Sequence, residues 1–178
     1  MKKVLLLLVT SLAGFIVFAR NTTDSIPANN KDVASVNAII SALYDVISGD
    51  AGKARNWDRF RTLFIPEAHL IPTGKRSDGT TVGRRVMSVE EYITTSGPVL
   101  EKNGFFEKEI SCTTEQFGNI VQVFSTYESR RKTDDASPFM RGINSIQLWN
   151  DGHRWWVINI LWQNESPEFP IPAKYLKQ

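Results

Sequence analysis

His69 is the residue of this sequence best suited to exchange protons with a bound molecule. An unperturbed imidazole titrates near physiological pH, and His69 stands beside the apolar Leu70 and Ile71 in a short strand-like segment. We therefore predict His69 as a catalytic candidate, a general base inside a pocket. The alternative is a histidine whose hydrogen bonds are satisfied by a neighbour. The second histidine, His153, falls in a predicted turn and is expected on the surface.

Two asparagines are predicted to face each other near the end of the chain. Asp151-Gly152 between two alternating segments predicts a hairpin with a two-residue turn. In that register Asn144 lies opposite Asn159, on the face that also carries Ile146 and Val157. Buried amides must be hydrogen-bonded, so the two asparagines either bond each other or line a cavity and meet a ligand or water. A one-residue bulge would exchange the two faces.

Three aromatic side chains complete the predicted pocket. Tyr127 shares one side of the longest strand with two valines, which would point its phenol into an apolar cavity as a second catalytic candidate. Tyr44 and Trp57 lie on the apolar sides of two predicted helices and are expected to close the cavity. Together with the two asparagines they form the predicted ligand-binding set.

Other kinds of active site have no support in the sequence. Two distant histidines and the single Cys112 make no metal signature. No Ser-His-Asp arrangement, phosphate-binding loop or pair of catalytic carboxylates can be identified, and no cofactor is expected.

The elements that position these residues follow from periodicity. Apolar residues at steps of three and four predict a helix over 33–47 and a second over about 52–64. A third begins at Ser88, whose spacing to Glu91 fits a capping box, and is predicted to break at Gly97-Pro98. Strands are predicted over 68–72, 80–86, 105–114, 119–130, 142–149 and 154–163, the last four as two hairpins.

This order of elements predicts an α+β fold with three helices. A strongly curved antiparallel sheet wrapped around the first helix, in a cone-shaped fold, would account for it. Both sides of 154–163 are apolar, so the side away from the helices is expected to be covered, most simply by a second copy in a homodimer.

The first residues predict export. Lys2 and Lys3 precede an apolar segment that ends in Val17-Phe18-Ala19, which is the composition of a signal peptide cleaved after Ala19. The segment is shorter than the roughly 20 apolar residues that span a bilayer, so no membrane span is expected after processing. We therefore predict a secreted or periplasmic protein, with a signal peptide over 1–19, a linker over 20–31, one domain over 32–164 and an extended tail over 165–178.

The balance of charges argues against nucleic acid as a partner. The sequence has 21 basic and 19 acidic residues, and cleavage would remove two of the basic ones. Acidic residues lie among or beside most of the remaining basic clusters, whereas proteins that bind nucleic acids present a predominantly basic face.

The sequence resembles the nuclear transport factor 2-like superfamily, especially its bacterial SnoaL-like and steroid-isomerase-like members. The resemblance covers nearly all of 32–163 and rests on the helix 33–47, the passages 57–68 and 88–92, and the hairpin 151–158. It implies a cone that encloses a mostly apolar pocket, often in a dimer. Several enzymes of this superfamily place an acidic base on the short strand after the second helix, where this sequence has His69-Leu70-Ile71-Pro72 instead.

The resulting expectation is an exported domain that binds a small, largely apolar molecule. One alternative is an acid–base enzyme of the isomerase, dehydratase or cyclase type that uses His69 as base, with Tyr127 or an asparagine polarising an oxygen. The other is a protein-interaction module with a filled interior that uses the outer face of the sheet. An open cavity with polar spots would favour the first two, since fold alone does not determine activity.

Overall fold

The computed structural model describes residues 26–75 and 82–176, so the predicted signal peptide and residues 76–81 lie outside the described residues. The described chain contains four α-helices and one short 3-10 helix where three helices were predicted. The helices are α1 (Asn30–Val33), α2 (Val36–Ile47), α3 (Trp57–Arg61) and α4 (Val89–Asn103), with the 3-10 helix at Ala173–Tyr175.

Helix α2 is the predicted first helix, with a later start. The Ser35 hydroxyl accepts a hydrogen bond from the Ala38 amide at 3.1 Å and so caps the helix, while the preceding turn forms the separate α1. One side of α2, including Ile39, Leu43 and Tyr44, is buried in the core. The second predicted helix is shorter than expected and consists of the five residues of α3.

Helix α4 begins as predicted, with a complete capping box between Ser88 and Glu91. The predicted break at Gly97-Pro98 is wrong, because the helix continues to Asn103. Two contacts explain its continuation. Leu100 is buried in the core beyond the proline. The Trp57 ring packs directly against Gly97, where an added Cβ would lie 2.9 Å from Cζ2 of the indole.

Seven strands form one curved sheet in the order β2-β1-β7-β6-β5-β4, with β3 paired to β1. Their bounds are β1 (Phe64–Lys75), β2 (Val82–Arg84), β3 (Met87–Ser88), β4 (Phe106–Phe117), β5 (Ile120–Arg130), β6 (Met140–Asn150) and β7 (Trp155–Asn164). The prediction of an entirely antiparallel sheet is wrong, because β1 and β7 pair in parallel. This pairing joins segments about ninety residues apart, which no local pattern reveals.

The two predicted hairpins, β4–β5 and β6–β7, are confirmed. The register of the second is not as predicted. Its turn spans four residues, Asp151 to Arg154, and β7 carries a bulge at Ile158, so Asn144 pairs with Trp162 and Asn159 pairs with Gln147. The four-residue turn shifts the pairing by two residues, so the side chains of β7 up to Val157 stay on their predicted faces of the sheet. The bulge at Ile158 then places the side chains from Asn159 onward on the opposite faces.

The α+β class is confirmed, with the core between the helices and one side of the sheet. We call this side the helix-covered face and the opposite side the outer face. The predicted extended tail is only partly extended, since it ends in the 3-10 helix, where the Tyr175 carbonyl accepts a hydrogen bond from the Thr126 hydroxyl on the outer face. Within the described ranges no helix combines the length and the apolar composition that a bilayer span requires.

Candidate functional site

A cavity of about 320 Å³ lies between helices α2 and α4 and the helix-covered face. Its walls are mainly apolar, with aliphatic residues such as Leu43, Leu70 and Ile146. The wall also contains six aromatic side chains, which are Tyr44, Phe60, Tyr92, Phe105, Tyr127 and Trp162. Because the cavity is open and not filled by these rings, it has room for a small molecule.

Glu107 places a carboxyl group in this apolar wall. It lies near the start of β4, where its backbone amide donates to the Ser48 hydroxyl at 3.0 Å. The Ser129 hydroxyl donates to Glu107 Oε2 at 2.8 Å, and the Asn144 amide is a second hydrogen-bond partner. Burial outweighs these bonds and raises the pKa of Glu107 to about 7, so near neutral pH the group can both give and take a proton.

A chain of buried hydroxyl groups lies beside Glu107. The Asn144 Nδ2 atom donates to the Tyr44 hydroxyl at 3.1 Å, and Tyr44 Oη is 2.6 Å from Ser125 Oγ. Ser125 in turn donates to Glu109 Oε2 at 2.5 Å. Burial, reinforced by the negative charge of Glu107, holds the pKa of Tyr44 well above its ordinary value, so the phenol stays protonated. The chain therefore fixes Asn144 against Glu107.

The two other tyrosines of the cavity differ in their partners. Tyr127 is buried and its hydroxyl donates to Asn164 Oδ1 at 2.7 Å, so it is not free to polarise a ligand. The Tyr92 ring stacks on Phe60, with centroids 5.5 Å apart. No described residue hydrogen-bonds to the Tyr92 hydroxyl. Burial and the charge of Glu107 raise the pKa of Tyr92 above its ordinary value, so it is a protonated phenol that can bind a ligand.

The cavity contains three of the six residues predicted from the sequence, namely Tyr44, Tyr127 and Asn144. His69 is instead exposed on β1, between Ser88 and Asn159. Asn159 lies on the outer face because of the bulge in β7. Trp57 packs behind α4, where its indole Nε1 donates to Glu101 Oε1 at 3.1 Å.

Glu107 and Tyr92 were not singled out from the sequence. Tyr92 could have been found, because it lies one helical turn from Val89 and next to Ile93 on the apolar side of α4. Glu107 stands in the charged sequence Glu107-Lys108-Glu109, which is typical of an exposed strand. Its burial depends on helices packing over that strand, which its own neighbours in sequence do not indicate.

Among the described residues, no group of three histidine, cysteine or acidic side chains is arranged to hold a metal ion. The groups on the cavity wall define what the site can bind. They provide one carboxyl group, one phenol that has no hydrogen-bond partner among the described residues, and an aromatic wall.

Comparison with known proteins identifies the fold. No protein-family model matches the sequence, and the search of curated proteins found no match. Among solved structures, a protein of unknown function with a cystatin-like fold from Nostoc punctiforme is similar with a TM-score of 0.56 at 9% identity, over 83% of this chain and 100% of that one. A nuclear transport factor 2-like protein of unknown function from Silicibacter pomeroyi is similar with a TM-score of 0.51 at 13% identity, over 74% and 94%. The chain has the nuclear transport factor 2-like fold.

A third structure with this fold is a candidate ketosteroid isomerase from Parabacteroides distasonis, similar with a TM-score of 0.50 at 13% identity, over 80% of this chain and 97% of that one. The resemblance seen in the sequence is thus confirmed at the level of the nuclear transport factor 2-like fold. At these identities the likeness concerns the fold alone, and function must be argued from the site.

Proposed function

We propose that this protein binds a small, mainly apolar molecule in the cavity, with the polar end of the ligand at Glu107. The observation that carries the proposal is a single carboxyl group in an open, aromatic-walled cavity of about 320 Å³. Sites for small molecules have this composition, in which apolar walls surround a few polar groups that orient the ligand. The apolar body would contribute about 25 cal/mol per Å² of buried surface.

A blocking variant tests this proposal. Val99 lines the cavity and is 53% exposed, which places it at the rim, so Val99→Trp should obstruct the cavity without disturbing the core. The matched control is Lys102→Trp, on the exposed side of the same helix and outside the cavity. A neutral apolar dye such as Nile red should show saturable fluorescence with the wild type and the control and lose it with Val99→Trp. Equal binding by all three proteins would refute the proposal.

A second candidate function is acid–base catalysis, with Glu107 in the role first predicted for His69. The Glu107 pKa of about 7 favours it, as does the Tyr92 hydroxyl on the same cavity, to which no described residue hydrogen-bonds. The Glu107 carboxylate would take a proton from the carbon next to a ligand carbonyl, and Tyr92 would donate a hydrogen bond to the oxygen that gains charge. The same carboxyl would then return the proton. The candidate ketosteroid isomerase among the similar structures is compatible with such chemistry.

Exchange of ketone α-protons with heavy water tests this second function. Cyclohexanone followed by NMR should exchange faster with the wild type than with Glu107→Gln, while His69→Gln should leave the rate unchanged. Equal rates with and without the protein would leave binding as the function of the cavity.

We also propose that the protein forms a homodimer through its outer face. This proposal is supported by three exposed apolar side chains on that face, Ile120, Trp149 and Leu161, at 60%, 40% and 38% exposure. The protein's own tail covers another part of the face, where the Tyr175 ring packs on Phe124 with centroids 5.0 Å apart. The interface would therefore lie beside the tail, toward β6 and β7.

Export remains a proposal that rests on the first nineteen residues. A secreted or periplasmic protein should begin near Arg20, and intact-mass analysis of exported material measures this directly. Material that keeps residues 1–19 in a membrane fraction would contradict cleavage.

A further inference from the structure

The cavity has an asymmetric set of charges. Among the described residues that line it, Glu107 is the single acidic side chain, and none is lysine, arginine or histidine. An anionic ligand would therefore lose its hydration without gaining a cation, and it would face the negative charge of Glu107. Ligands with carboxylate or phosphate groups are disfavoured.

The aromatic wall favours the opposite charge. Phe60, Tyr92 and Trp162 form a connected group, with Tyr92 stacked on Phe60 and edge-on to Trp162 at 6.3 Å between centroids. A cation near the face of such rings is attracted by their electron density. The same rings bury the apolar body of a ligand, so one wall serves both parts of an amphipathic cation.

The hydrogen-bonding groups point to the same ligand. The Glu107 carboxylate accepts from Ser129 and Asn144 within the protein, and its oxygens have lone pairs for further donors from the cavity side. The Tyr92 oxygen, which has no hydrogen-bond partner among the described residues, is a second acceptor. An ammonium group carries three N–H donors and no acceptor, which complements this pair.

We infer that the ligand of this cavity is a small hydrophobic amine, bound as its ammonium ion between Glu107 and the aromatic wall. The inference rests on the proposed binding function and names its ligand class. An alcohol or ketone of the same shape would fill the cavity but would lack the charge.

The groups around Glu107 set the pH dependence of binding. Tyr44 from α2, Tyr92 from α4 and Tyr127 from β5 are protonated phenols, and Glu109 on the same strand adds negative charge nearby. The pKa of Glu107 is about 7, and an ammonium binds the carboxylate form. Affinity for an amine should therefore fall as the pH is lowered through about 7, whereas a neutral ligand has no such requirement.

Calorimetry with three compounds of one shape tests the inference. The probes are benzylamine, which is a cation at neutral pH, benzyl alcohol, which is its neutral isostere, and benzoate, an anion. At about pH 8 benzylamine should bind about tenfold more tightly than benzyl alcohol, the gain expected when a hydrogen bond becomes charge-assisted, and benzoate should not bind. At about pH 5.5 the preference for benzylamine should shrink markedly.

Two variants locate the preference. Glu107→Gln should bring the affinity ratio of benzylamine to benzyl alcohol close to one, whereas Glu115→Gln, an exposed change on the same strand, should keep the wild-type ratio. If Glu107→Gln does not fold, the wild-type ratio and its pH dependence decide the question. Benzyl alcohol that binds as tightly as benzylamine, or benzoate that binds at all, would overturn the ammonium site but leave the cavity as a binding site. Failure of benzyl alcohol, benzylamine and Nile red alike would overturn the proposed function itself.

Discussion

Burial and hydrogen bonding act in opposite directions on the Glu107 carboxyl. Helices α2 and α4 exclude bulk water from it, which favours the neutral form, while Ser129 and Asn144 favour the charged one. Burial has the larger effect, and the pKa rises from its ordinary 4.5 to about 7. A carboxylate held this way costs stability, which favours a role for Glu107 in binding over a role in folding.

Glu107→Gln should therefore change the pH dependence of stability. An acid with a raised folded-state pKa stabilises the folded protein less as the pH rises from the ordinary value of 4.5 to about 7. Above about pH 7 the variant should be more stable than the wild type by at most about 3 kcal/mol, and this advantage should vanish near pH 4.5. Urea unfolding across this pH range measures it. A difference independent of pH would contradict the raised pKa.

Two tyrosine-to-phenylalanine changes should differ in how much they lower the stability of the folded protein. Tyr44→Phe removes the hydroxyl that bonds both Asn144 and Ser125, and the loss of these two buried hydrogen bonds should cost about 1–3 kcal/mol. Tyr92→Phe removes a hydroxyl that has no partner among the described residues, so stability should change by less than about 0.5 kcal/mol. Thermal denaturation of the two variants compares them directly. Similar losses for both would show that Tyr92 makes a structural hydrogen bond.

At the scale of elements, the sequence predicts hairpins better than their registers. The alternation in β6 and β7 and the Asp151-Gly152 turn correctly indicate the pairing of these strands and the inward position of Asn144. The extra residue at Ile158 moves Asn159 to the outer face, and nothing in the local pattern marks that bulge. Periodicity thus places three of the six predicted site residues correctly in the cavity. The positions of His69, Trp57 and Asn159 depend on the bulge and on long-range packing.

The contact between β5, β6 and β7 is tight at Gly142. A Cβ at this position would overlap the Tyr127 hydroxyl and the Gln163 carbonyl oxygen. Gly142→Ala should therefore destabilise the sheet by about 1–3 kcal/mol, the usual cost of overpacking. Ser145→Ala, on the outer side of the same strand, is the matched control and should stay within about 0.5 kcal/mol. Chemical denaturation measures both variants, and a Gly142→Ala protein as stable as the control would contradict this tight packing.

At the scale of the whole molecule, the parallel pairing of β1 with β7 places the last strand inside the sheet. Exposed apolar side chains remain on the outer face of β6 and β7. The tail covers only the part near Phe124 and Thr126. Stable dimers bury about 1,200–2,000 Å² in total, which requires an apolar centre of the kind that Trp149 and Leu161 offer.

Light scattering tests the homodimer. The wild type should have twice the mass of the chain at micromolar concentration, and Leu161→Lys should have the monomer mass, because a lysine would be buried in the interface without a partner. Val86→Lys replaces another exposed apolar residue, in the loop between β2 and β3, and should remain dimeric. A monomeric wild type would exclude the interface.

The binding of a small molecule at Glu107 is tested most directly by nuclear Overhauser effects between benzyl alcohol and assigned side chains of the protein. We expect contacts from the benzyl protons to the rings of Phe60, Tyr92 and Trp162, and from the methylene protons to the side chain of Glu107. A second groove lies on the surface between Ile26 and Trp156. Contacts confined to that groove would contradict binding at Glu107, and so would the absence of any contact at a large excess of benzyl alcohol.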